Sequence, residues 1–336
     1  MPFYRNIFLN SLKISWRNKY LWFFGIFASF LSTSGGYETI LSAINGDRMN
    51  YFPGINGFSE AGLFHSGTIS NIQIIISNGS AGDIAQVLFV VLLITGLSLF
   101  LAWVSVVSQV AIVSESVSMR KAKITEVEGE DNIKRSLVVG KKYFWKVFGL
   151  NVLARIVLGT FFTVISILVI SQIGTHDSFL FELFFVIMYV LFIALTLSIS
   201  FIAKYSIAFV IVKNKNIVDS VKLALNLFVK NWIISLELAF MLFSLNFVVG
   251  LIVMFATMVA IIPFYFFSML VYQVMGFLGF SLIAIPSLII ILLGVTVAGA
   301  ILTCFQISSW AGLFLELTSR SEKKSKIMRV AESIKK

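Results

Sequence analysis

The stretch Ile217–Ile262, IVDSVKLALNLFVKNWIISLELAFMLFSLNFVVGLIVMFATMVAII, decides the fold. In its first part Asp219, Lys222, Asn226 and Lys230 recur at helical spacing on one face, and Ile217, Val221, Leu225 and Phe228 on another. Such stripes belong to a helix lying in a membrane interface, with its apolar face against the acyl chains. From Trp232 onward the only charge is Glu237, and the apolar run exceeds the roughly 20 residues that cross a bilayer. The stretch reads as a basic amphipathic elbow, an aromatic anchor at the headgroup level, and then a span.

The same design occurs twice more. SLKISWRNKYLWFFGIFASF carries Trp16, Arg17, Lys19 and Trp22, and VGKKYFWKVFGLNVLARI carries Lys141, Lys142 and Trp145. In the first elbow Asn6, Asn10, Lys13 and Arg17 mark a polar face, and Phe8, Leu12 and Trp16 an apolar one. The returning helices end alike, in VSQVA at Ala111, KYSIA at Ala208 and ISSWA at Ala311. The sequence thus reads as three repeats, each an elbow plus a helical hairpin. Residues 1–112 form the first, with an outer loop over 33–83; 113–212 and 213–316 form the others, and 317–336 a basic cytoplasmic tail.

Composition agrees. Of 336 residues 58% are hydrophobic and 12% charged, against about 45–50% and 25% in soluble domains, which excludes a soluble enzyme. The spacing predicts an all-α polytopic membrane protein with six transmembrane helices. Five spans read as Ile84–Val107, Val147–Gln172, Phe179–Ala203, Trp232–Ile262 and Ile285–Trp310; the sixth is Leu21–Ser32, lengthened by starting near Trp16. With six spans, 24 of the 26 Lys and Arg fall on one side, which places both termini in the cytoplasm. The net charge of +10 is therefore topology and a surface for anionic headgroups, not a nucleic-acid footprint. Phe264–Phe280, bounded by Pro263 and Pro286, reads as an interfacial or re-entrant segment on the outer side. The first apolar segment lacks a cleavage site and is expected to be retained.

The passage YSIAFVIVKNKNIVDSVKLALNLFVKNWIISLELAF, Tyr205–Phe240, runs from a span through a charged turn and an amphipathic helix to an aromatic and the next span. It resembles the membrane domain found beside some glycerophosphodiester phosphodiesterases, and related six-span bacterial proteins. The elbow at the N-terminus and the C-terminal SSWAGLFLEL are compatible with that family. The resemblance implies the fold and a bacterial inner-membrane setting. It carries no activity, because its motifs hold no catalytic residue and the sequence ends at Lys336 without the phosphodiesterase domain.

Ionisable groups within spans are the default functional candidates. Arg155 lies about 15 Å beyond Trp145 along a helix, and Glu237 about 7–8 Å beyond Trp232. Arg155 can reach back toward Glu237, and Asn151, one turn earlier, can share it. Such a group would be an ion or proton site, a headgroup clamp, or a buried pair that fixes helix register. The last is preferred, since isolated pairs without further acids rarely form relays. Catalytic and metal sites and cofactors are not expected. Cys304 has no base beside it in the sequence, there is no phosphate loop, and His65 and His176 share no metal-ligand spacing. The resulting expectation is a non-catalytic scaffold, or a component that meets lipids and a protein partner of unknown kind. The alternative is a permease or transporter subunit using Arg155 and Glu237.

Overall fold

A computed structural model describes residues 2–32, 81–122, 132–170 and 179–319. Among these the chain is helical apart from short turns: α1 (Pro2–Arg17), α2 (Tyr20–Ser32), α3 (Ala81–Ala122), α4 (Asn132–Ile170), α5 (Phe179–Lys213) and α6 (Ile217–Ser319). Leu88–Ala122, Asn132–Ile165, Val186–Lys213 and Ile217–Ser319 are long and apolar enough to cross a membrane, whereas α2 is shorter. The all-α class and the membrane character follow from these lengths and compositions. The outer loop 33–83 lies outside the described residues, save the first residues of α3, as do the histidines and residues 320–336 of the basic tail, whose first three residues close α6.

The chain divides into two compact units, Met1–Ser32 with Ser105–Lys336, and Thr33–Val104. The described part of the second is the first half of α3, an uncharged apolar helix from Ile84 whose Leu88–Phe100 side chains are exposed. The larger unit holds the packed core, in three clusters. In one, Tyr4 and Ile7 of α1 meet Phe201 and Tyr205 of α5 and Leu238, Phe305 and Phe314 of α6. In another, Val106, Val110 and Val113 of α3 meet Val147 and Leu150 of α4, and Ile207 and Val210 of α5. The third joins Ile14, Phe24, Ile112, Met119 and Cys304. Ala111, Ala208 and Ala311 are all buried, one in each cluster, but none ends its helix: α3 continues to Ala122, α5 to Lys213 and α6 to Ser319. Farther along α4, α5 and α6 the apolar side chains are mostly exposed, as suits helices whose solvent is lipid.

Two of the three elbows bend as expected, and at the same residue type. Helix α1 stops at Arg17, and the Asn18 side-chain amide donates to the Ile14 carbonyl at 2.8 Å. In α6 the backbone leaves helical geometry at Asn231, whose amide donates to the Leu227 carbonyl at 3.1 Å. Each asparagine side chain thus donates to the carbonyl four residues back, and at Asn18 the Ile14 carbonyl also accepts the Asn18 backbone N–H at 3.2 Å. The second elbow differs. Helix α4 runs unbroken from Asn132 through Lys141, Lys142 and Trp145 into its apolar part, because no competing polar side chain interrupts it there. The first span is also shorter than expected: the break at Asn18–Lys19 makes α2 start at Tyr20, not near Trp16.

The reading of Phe264–Phe280 needs correction. Helix α6 continues through Pro263 and Pro286, and the one further departure from helical geometry is Gly276, at φ 65° and ψ −150°. Nothing lies within 4 Å of where a Cβ would stand, so glycine is needed there for its backbone, not for space. Asn246 and Gln306, equally far in sequence from Gly276, meet side by side, with the Gln306 amide donating to Asn246 Oδ1 at 2.9 Å. The chain therefore reverses at Gly276 into two antiparallel arms, 232–275 and 277–319. Proline is tolerated in such apolar helices because local adjustments re-satisfy the freed carbonyl.

Candidate functional site

The polar groups within the larger unit gather at the packed end of the helices. Arg120, in the last turn of α3, reaches two other helices. Its Nη2 donates to Ser11 Oγ at 2.5 Å, to the Ile7 carbonyl at 3.2 Å and to the Ser308 carbonyl at 3.3 Å. The guanidinium lies flat on Gly312, where a Cβ would stand 2.6 Å from Cζ and 2.7–2.8 Å from the two Nη atoms. Glu316, one turn beyond Gly312, acts on it electrostatically. A single charged side chain thereby ties α1 and α3 to the return arm of α6.

One turn and a half earlier on α3, Glu115 is only 3% exposed. Arg135 of α4 grips its carboxylate with Nη2 at 2.8 and 3.0 Å and Nε at 3.3 Å, and the Ser136 hydroxyl donates to it at 3.2 Å. Bidentate pairing of this kind fixes orientation as well as charge. Sequence reading does not find either node, because Arg120 and Arg135 fall between the spans read as Ile84–Val107 and Val147–Gln172. The available signal was the helical continuation VSESVSMR beyond the apolar run, which sets Glu115 and Arg120 inside α3.

Of the residues singled out from sequence, Glu237 accepts the Tyr4 hydroxyl, so its carboxylate is met from α1. Asn151 donates to Gln109 Oε1 at 2.9 Å, linking α4 to α3. Arg155 lies exposed on α4, among Leu153 and Ile156. Cys304 is buried, and its thiol donates to the Leu21 carbonyl at 2.9 Å, a packing role. No cluster of three or more potential metal ligands occurs among the described residues.

The interfacial residues lie on the surface. Trp16, Trp145 and Trp232 are 61%, 76% and 53% exposed, and Arg17, Lys19, Lys141, Lys142, Lys222 and Lys230 are exposed as well. Trp22 is half-buried, with its indole N–H donating to the Ser15 carbonyl at 2.7 Å across the first elbow. On α1 and on the 217–230 piece of α6 three faces follow in the same rotational order, at about 100° per residue. A buried face comes first (Ile7, Ser11 and Ile14; Ser220 and Ala224), then an exposed apolar one (Leu9, Leu12 and Trp16; Val218, Leu225 and Val229), then a polar one. One face packs on the core, and the other two are exposed. A further cation, Lys204 of α5, is exposed with its Nζ 4.6 Å from the Trp310 ring centre and 6.0 Å from that of Phe201. Comparison with family models, with curated proteins and with solved structures gave no match to this chain.

Proposed function

We propose that the chain is a non-catalytic scaffold of the bacterial inner membrane that engages anionic lipid at its cytoplasmic face. On this reading it makes six crossings in three elbow-and-hairpin units, with both termini inside. The observation that carries it is how the polar groups are used. Glu115, Arg120, Asn151 and Glu237 are engaged in contacts between helices, whereas the tryptophans and lysines of the elbows stay exposed. A transport site would call for ionisable groups held ready for cargo. A framework calls for groups that hold helices together and a rim that holds lipid.

The test is extraction of the full chain from its native membrane into lipid nanodiscs, followed by mass spectrometry of lipid and protein. Enrichment of anionic phospholipid over the surrounding bilayer supports the scaffold reading. A stoichiometric ATPase subunit, or lipid matching the bulk membrane, overturns it, the former in favour of a permease subunit using Arg155 and Glu237.

A further inference from the structure

We propose that Lys204 binds the phosphate of an anionic phospholipid, in an aromatic-walled crevice between α5 and α6. The inference rests on the membrane-scaffold reading and names a particular site for its lipid. Lys204 differs from the other cations of the core end. Arg120 and Arg135 have protein acceptors, whereas Lys204 has no hydrogen bond or ion pair among the described residues, and no carboxylate acts on it. It is held instead over the face of Trp310, and the residue is exposed, so that an anion can reach it.

Its depth follows from the helix contacts. The neighbouring Tyr205 hydroxyl meets Ser235 Oγ at 2.6 Å, which fixes Lys204 level with the start of the outgoing arm of α6. Ser235 lies about 5 Å, one helical turn, past the bend at Asn231–Trp232. Trp232 is exposed and, in this reading, marks the headgroup belt. The ammonium therefore stands just beneath that belt, and the lysine stem is long enough to bring it to phosphate depth.

The walls favour a lipid over a free anion. Phe201, itself buried, lies with its ring tilted 5.5 Å from that of Phe228 of the elbow and 5.3 Å from that of Trp310, and the half-buried Phe228 and Trp310 leave apolar surface beside the cation. Rings of this kind cover glycerol and upper acyl carbons, and they offer nothing to inorganic phosphate. Without an anion, no carboxylate among the described residues neutralises the positive charge at this depth. The structure thus provides charge complementarity to phosphate and apolar complementarity to the chains attached to it.

Native mass spectrometry of the full chain in detergent tests this, by titration with phosphatidylglycerol or phosphatidylcholine of matched chains. Variants K204Q, K204R and, as a control on the polar elbow face, K222Q are compared with the parent. The parent is expected to take up one phosphatidylglycerol at least tenfold more tightly than phosphatidylcholine. K204Q should lose that preference, K204R and K222Q should keep it, and millimolar inorganic phosphate should not compete. An unchanged preference in K204Q overturns the site while leaving the scaffold reading intact. Competition by inorganic phosphate overturns the lipid as the source of the anion. Equal binding of both lipids by the parent itself counts against the scaffold reading as well. A K204Q that unfolds is recognised by its elution profile, and W310L then takes its place, with the same loss of preference expected.

Discussion

Replacing Gly312 by alanine puts a methyl group into the space occupied by the Arg120 guanidinium. The new carbon would stand 2.6–2.8 Å from three guanidinium atoms, about 1 Å inside ordinary van der Waals contact. The methyl cannot yield, because it sits on the buried backbone of α6, so the arginine must. In retreating it leaves Ser11 Oγ and the carbonyls of Ile7 and Ser308. Hydrogen bonds from a charged group are worth about 1.5–3 kcal/mol each, but a displaced guanidinium keeps some of them. Against this, alanine in place of glycine favours the helix by about 1 kcal/mol. The expected net loss is about 2–4 kcal/mol, seen as a fall in Tm on the order of 5 °C for the purified chain in detergent. The decisive arm is the same substitution in an Arg120→Met background. There the methyl meets no guanidinium, and Gly312→Ala should be neutral or slightly stabilising, giving a coupling above about 1.5 kcal/mol. Equal losses in both backgrounds would refute the claim that Gly312 exists to seat Arg120.

Gly25→Ala should be more damaging than Gly312→Ala, because its methyl would come 2.4 Å from the Ala300 carbonyl oxygen, and backbone cannot swing aside. Gly299→Ala, with nothing within 4 Å, should raise stability by about 0.5–1 kcal/mol, and thermal unfolding of the two reads the contrast. Arg135→Ala leaves Glu115 buried with Ser136 alone. Since the Arg135 side chain is 53% exposed and screened by solvent, the expected cost is about 1–2 kcal/mol by the same melt. For topology, single cysteines at the exposed Ser118 and Asn216, in a Cys304→Ser background, should resist a membrane-impermeant thiol reagent in intact cells. Labelling of either from outside contradicts the cytoplasmic placement of these turns.

Periodicity carried the reading furthest where it governs local structure. The polar and apolar stripes of the first and third elbows predict helices that bend into spans, and both bend, at Asn18 and Asn231. The second elbow shares the lysines and tryptophan and does not bend: helix α4 runs straight through Lys141, Lys142 and Trp145. Proline misled the reading of Phe264–Phe280. In water a proline is a strong stop signal, but an apolar helix continues through it and the reversal falls on Gly276, whose backbone geometry leaves no periodic trace. Counting residues from a tryptophan gives the depth of Glu237 but not what faces it. Tyr4, on a helix more than two hundred residues away in sequence, became visible only in three dimensions. Arg120 shows the same limit: a cation at the end of a span reads as a loop charge until the helix is seen to extend past it.

The hairpin that reverses at Gly276 bears on the thickness of the membrane around it. Between Glu237 and Glu316 the sequence has no charged residue, so each arm offers a charge-free length of roughly 58 Å at 1.5 Å per residue. A typical hydrocarbon core is about 30 Å thick. Tilt alone would have to approach about 60° to hide such a rod, well beyond the 0–40° that transmembrane helices adopt. Each ångström of mismatch costs a fraction of a kcal/mol, so the hairpin gains stability wherever the bilayer thickens to meet it. On the proposed topology such a hairpin is expected to partition toward the thicker parts of its membrane, and shortening it symmetrically about Gly276 should move that preference toward thinner ones.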